Sequence, residues 1–236
     1  MEDAVSLSRT VILDFLQKLN ITDRVRLPRE KAKIDNTVRA TVDHWQLPCS
    51  AAKLEPAIVC GIDYARYSHP YAPLDFQVLL ALYTVCMVCC DDALVTPLER
   101  KTFVEKLYAG QSQWHPVLSR LFEVTTKLRE HYSAFGGNII CSGTAEYLNA
   151  MNLASIDGVH GPGVQSGAGR FVDYFRWKDG ACEPYALFIW PQTLFPDVQK
   201  IVRAFPYVLV LKTQLSIHTH QTLLNRDSIP IPALVK

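Results

Sequence analysis

Two adjacent carboxylates, Asp91 and Asp92, follow an apolar run from Phe76 to Cys90. Side by side they repel each other, and at a helix end they also face the negative pole of the backbone dipoles. A local cation relieves both costs. Mg²⁺ suits such a place, because it takes a few carboxylates and keeps positions open for phosphate oxygens. A solvated helix end is the plainer alternative. On a helix, Tyr83, Thr84 and Met87 stand eight, seven and four positions before Asp91 and share its face. That face offers a metal at its mouth and an apolar wall beneath. The fourth position after Asp91 is Val95 rather than an acid, and the next acid, Glu99, lies beyond Pro97.

A second constellation spans residues 171–191, FVDYFRWKDGACEPYALFIWP, with seven aromatic residues. This is more than three times the 10% aromatic content of the whole chain, so the enrichment is local. Aromatic faces stabilise a cation by roughly 0.5–2 kcal/mol each; ordinary core packing is the alternative. Arg176 stands inside the run, with Asp179 and Gly180 three and four residues later. An arginine among aromatics suits a fixed fork for phosphate, and Gly180 lets backbone approach a ligand. An Arg176–Asp179 ion pair is the simpler alternative. Cys86, Cys89 and Cys90 mimic metal spacing but fall within the apolar run, where they read as small buried hydrophobes. His218 and His220 do not specify a metal site, and no serine or cysteine nucleophile motif is present.

The elements that must position these groups are helical. Helical spacing is expected over 3–19, 36–46, 74–95, 98–109, 116–135 and 138–152, then over 169–177, 183–190 and 196–211. Residues 56–73, aromatic and punctuated by prolines, are expected to be loop or short turns. Residues 158–169 hold five of the eleven glycines. No Gly-Lys-Ser/Thr closes them, so they read as a connector rather than a phosphate cradle. The last 25 residues, rich in Ser and Thr, read as strand or coil. The expected division is a helical domain over 1–211 and a divergent tail over 212–236.

Composition narrows the classes. The chain has 236 residues, 49% hydrophobic and 20% charged, and a net charge of +1. It is too apolar for disorder, and its bulk charge gives no grip on nucleic acid. The fifteen-residue run ending at Cys90 falls short of the roughly twenty that a membrane span requires, so a buried helix is expected there. Seven cysteines without a recognisable framework, behind an N-terminus with no apolar leader, suggest reduced thiols in a cytoplasmic protein.

Four segments in order, YTVCMVCCDD, LYAGQSQWHPVL, NIICSGTAEYLNAMNL and YFRWKDGACEPYALFIWP, resemble the trichodiene-synthase-like class I sesquiterpene synthases of fungi. The resemblance covers about residues 1–205. It implies an all-α terpenoid-synthase bundle around a central cavity, with Asp91 and Asp92 binding Mg²⁺ at its mouth. It further implies that Arg176 senses the diphosphate of farnesyl diphosphate, that Asp179 links, and that Gly180 supplies the effector carbonyl. Tyr83, Met87 and Tyr185 are the expected substrate-side residues. The family's second metal motif, Asn or Asp, then Ser or Thr, then Glu at four-residue spacing, has no match. Asn225 and Ser228 are three apart with no Glu after them. The bundle is therefore expected to be incomplete on its C-terminal side, a truncated member with impaired turnover. A non-catalytic protein that binds a prenyl diphosphate, or that uses an uncovered helix face to self-associate, is the competing expectation.

Overall fold

A computed structural model describes residues 31–92, 94–156, 171, 174–175, 177–178 and 182–209. The described residues are helical, with no strand among them. The helices are α1 (Lys31–His44), α2 (Ala51–Ser68), α3 (Leu74–Asp91), α4 (Pro97–Lys101) and α5 (Phe103–Tyr108). They continue with α6 (Pro116–Arg129), α7 (Ala134–Ala154), α8 (Cys182–Leu187) and α9 (198–209). The expected helix over 3–19, the glycine-rich connector and the tail from 212 lie outside the described residues.

The bundle is organised around α3. Twelve of its residues are buried, on all sides rather than along one stripe, because α1, α2 and α6 pack against it. Each fully buried Leu, Val or Phe there contributes roughly 1.5–3 kcal/mol. By length and composition α3 is the one helix among the described residues that is able to cross a membrane. Its apolar surface is instead taken up by neighbouring helices. A second set of contacts joins α7 to α6, α8, α4 and α5.

Residues 56–68, expected as loop, belong to α2. Pro56 sits inside this helix, and Leu54, Ala57, Ile58, Ile62 and Ala65 are buried at helical spacing. The packing of that stripe on α3 outweighs the hydrogen bond that Pro56 lacks. Gly61 makes the closest approach. A Cβ there would run into the Ala81 carbonyl oxygen and stand 2.9 Å from Val85 Cγ2. Gln77 holds the tight turn into α3, its Nε2 donating to the carbonyls of His69 (2.7 Å) and Ala72 (3.1 Å).

Caps divide two of the expected helices. Residues 98–109 form α4 and α5, which meet at Thr102. The helix expected to reach residue 135 stops at Arg129, and Ser133 starts α7 by accepting a hydrogen bond from Gly136 N at 3.4 Å. At the head of α6, His115 Nδ1 accepts from Val117 N at 3.2 Å, with Pro116 as the first helical residue.

Candidate active site

The acidic pair terminates α3. Asp91 is its last residue and Asp92 its cap, with Asp92 N donating to Val88 O at 2.9 Å. Both are exposed. The last turn of α3 contains no basic residue, and its two carboxylates stand at the negative helix pole. Hard oxygen donors with solvent access fit Mg²⁺. Among the described residues no group of three His, Cys, Asp or Glu side chains that could hold a metal ion comes together. Glu99, the next acid in sequence, is committed elsewhere. Its Oε2 accepts from Thr96 N (2.8 Å) and Thr96 Oγ1 (2.7 Å), while Thr96 Oγ1 accepts from Glu99 N (3.4 Å). This capping box at the start of α4 holds the Glu99 carboxyl below its ordinary range, chiefly through the Thr96 hydroxyl.

Beneath the pair, Met87, Thr84 and Tyr83 are buried along one face of α3. Tyr83 Oη is 2.9 Å from Thr144 Oγ1 on α7. From α8, Tyr185 Oη donates to Thr84 Oγ1 at 3.1 Å. Tyr185 also packs edge to face against Tyr64, Tyr83 and Phe188, with centroids 4.9, 5.8 and 5.4 Å apart. α3, α7 and α8 thus meet through a cluster of aromatic rings whose hydroxyls are paired. Burial pushes the Tyr83 and Tyr185 phenols upward and keeps them neutral. The same cause raises the thiols of Cys86, Cys89 and Cys90, Cys89 to about 12, so these are inert core residues.

Tyr83, Met87 and Asp91 share one face of α3, Tyr185 packs against Tyr83, and Asp92 caps the helix. Arg176, Asp179 and Gly180 lie outside the described residues. Near them in sequence, Lys178 Nζ pairs with Glu146 Oε1 of α7 at 2.8 Å. Glu183 of α8 has its carboxyl raised, first by burial and then by Glu146. Close packing ties α8 to α7, because a Cβ on Gly143 would stand 2.6 Å from Pro184 Cδ. An open groove of 670 Å³ lies between α4 and α7, bounded by Leu98, Lys101, Asn149, Asn152 and Tyr174. Tyr83, Met87 and Tyr185 are not among its described lining residues.

Three residues enter the site without having stood out in the sequence. Thr144 and Tyr147 share a face of α7. Tyr147 Oη donates to Met87 O at 3.4 Å, one turn before Asp91. Burial raises the Tyr147 phenol, and the Asp91 charge raises it further. The i, i+3 spacing of a threonine and a tyrosine on an apolar helix was the available signal. Arg100 is the third, and nothing in its local sequence marks a buried arginine.

An all-helical bundle with an acidic pair ending its central helix, above buried aromatic residues, is an architecture of terpenoid synthases. Residues 35–221 match the trichodiene synthase (TRI5) family, and the chain belongs to that family. It is similar to monoterpene synthase 25 of Postia placenta, 26% identical over 208 residues, which make up 86% of this chain and 60% of that protein. Terpene synthase 29 of the same fungus is 28% identical over 219 residues, 87% of this chain and 59% of that protein. The (E)-beta farnesene synthase of Metarhizium brunneum is 28% identical over 147 residues, 61% of this chain and 44% of that protein. The chain thus spans about three fifths of the length of the two Postia relatives.

Proposed function

We propose that this chain carries a Mg²⁺-dependent terpene synthase reaction on farnesyl diphosphate. The observation that carries this reading is the exposed Asp91–Asp92 pair at the end of a helix whose face beneath is Met87, Thr84 and Tyr83, joined by Tyr185. Asp91 and Asp92 would hold the metal, which would supply positive charge to the diphosphate leaving group. The allylic C–O bond breaks, its electron pair departs with the diphosphate, and an allylic cation remains. Carbon–carbon bond formation and transfer of a proton from the cation to the departed diphosphate then give a hydrocarbon. Arg176 would take the diphosphate oxygens, with Asp179 as linker and Gly180 as effector, the roles that the family resemblance implies for these residues. The aromatic cluster of Tyr64, Tyr83, Tyr185 and Phe188 is the wall that would stabilise the cation. The printed names of the relatives include both a monoterpene synthase and a farnesene synthase, so the length of the isoprenoid is part of the test.

Purified full chain is incubated with Mg²⁺ and either farnesyl or geranyl diphosphate, and volatile products are identified by gas chromatography–mass spectrometry. A hydrocarbon from farnesyl diphosphate is expected, reduced at least about 100-fold in D91A and R176A. Hydrocarbon formation that continues unchanged in D91A refutes the assignment. Folded protein that retains pyrophosphate and metal but forms no product supports the non-catalytic binding alternative.

A further inference from the structure

We propose that Arg100 is a positioning residue that clasps the acidic turn in its metal-binding shape; the inference rests on the metal role of Asp91 and Asp92 given above. Arg100 belongs to α4, past the acidic pair in the chain, yet only 6% of its surface is exposed. Its Nη1 donates to Cys90 O at 3.0 Å and to Val95 O at 2.6 Å. One nitrogen therefore bridges the last carbonyl before Asp91 to the carbonyl just before the cap of α4. The two acidic residues fall within the segment between these acceptors. The Nε of Arg100 is buried without a hydrogen-bond partner among the described residues, and no carboxylate there forms a salt bridge with it.

A buried guanidinium that forgoes an ion pair in order to hold two backbone carbonyls is costly. Its return is geometric. Carbonyls at a helix C-terminus otherwise have no intrahelical donor, and the donated bonds fix where α3 ends and the acidic turn begins. The charge also sits at the negative helix pole, where a cation is favoured. Groups that orient metal ligands through a second layer of hydrogen bonds typically change metal affinity 10–100-fold when removed. Repulsion between Arg100 and the incoming metal acts in the opposite sense. The carboxylates are exposed, so water screens that repulsion and the lost geometry outweighs it.

The test measures Mn²⁺ uptake by electron paramagnetic resonance, with and without inorganic pyrophosphate, on the folded full chain below its melting temperature. R100M is expected to bind Mn²⁺ about 10-fold more weakly than wild type. R100K keeps the charge and donors for the carbonyls, and is expected to stay within about 3-fold. A stabilising role alone would lower the melting temperature of R100M and leave the Mn²⁺ affinity of the folded protein in place. Equal or tighter binding by R100M overturns the inference while the metal assignment stands. A wild-type chain that takes up no Mn²⁺ refutes the metal assignment and this inference with it. Hydrogen exchange on wild type covers the case in which R100M does not fold. Slow amides at Asp91, Asp92 and Val95 before metal is added are expected. Fast exchange that slows only with metal would mean that the metal orders the turn, and would overturn the inference.

Discussion

Tyr185 separates the worth of a buried ring from the worth of its hydroxyl. In Y185F the ring contacts with Tyr64, Tyr83 and Phe188 remain, and the 3.1 Å bond to Thr84 Oγ1 is lost. Thr84 still donates to Leu80 O at 3.0 Å, so its hydroxyl keeps a partner. The cost is that of one net hydrogen bond, about 1 kcal/mol. In Y185A the ring contacts vanish and a cavity opens between α3 and α8, at a cost of roughly 3–5 kcal/mol. For a chain of this size, 1 kcal/mol corresponds to about 2–4 °C in melting temperature. Thermal unfolding by circular dichroism should therefore show a drop of about 3 °C for Y185F and about 10 °C for Y185A. Equal losses in the two variants would mean that the hydroxyl, not the ring, holds α8 to α3. A Y185A variant as stable as wild type would remove Tyr185 from the core.

Two further perturbations test the frame around the site. Burial lowers the His69 pKa from 6.5 to about 4, so the native state binds this proton less readily than the unfolded chain. The resulting stability, about 3 kcal/mol, is complete above pH 6.5 and is lost as pH falls toward 4. Urea midpoints measured across that range should fall in wild type and flatten in H69F; parallel curves would exclude His69 as the source. G61A places a Cβ against the Ala81 carbonyl oxygen, a backbone atom that has no rotamer by which to move aside. The expected cost is about 1–3 kcal/mol, read as a lower urea midpoint, and an unchanged midpoint would show that α2 and α3 can separate freely.

The acidic pair of the site was legible because it is local. Asp91 and Asp92 end an apolar run, and periodicity alone sets Met87, Thr84 and Tyr83 on the face below them. Helix boundaries were less legible: Ser133 starts α7 five residues before the expected start, and Thr102 splits the single helix expected over 98–109 into α4 and α5. Proline misled where a tertiary partner overrode its local cost. Pro56 reads as a break, yet α2 continues through it because its buried stripe packs on α3.

By itself the sequence determined a helical chain with a largely apolar central helix, an acidic pair at that helix's end and an aromatic segment downstream. Each follows from residues within a few turns of one another. Only the tertiary structure decided which distant groups complete the site. Tyr83 meets Thr144 across 61 positions, and Tyr185 meets Thr84 across 101. Tyr147 reaches the carbonyl of Met87, and Arg100 turns back on the acidic turn. Glu99 is withdrawn from the acidic pair by a local contact instead, the capping box it closes with Thr96 three residues before it. A side chain's hydrogen-bond partner depends on which helices are adjacent, and helix adjacency is set by the burial of whole apolar faces rather than by any local pattern.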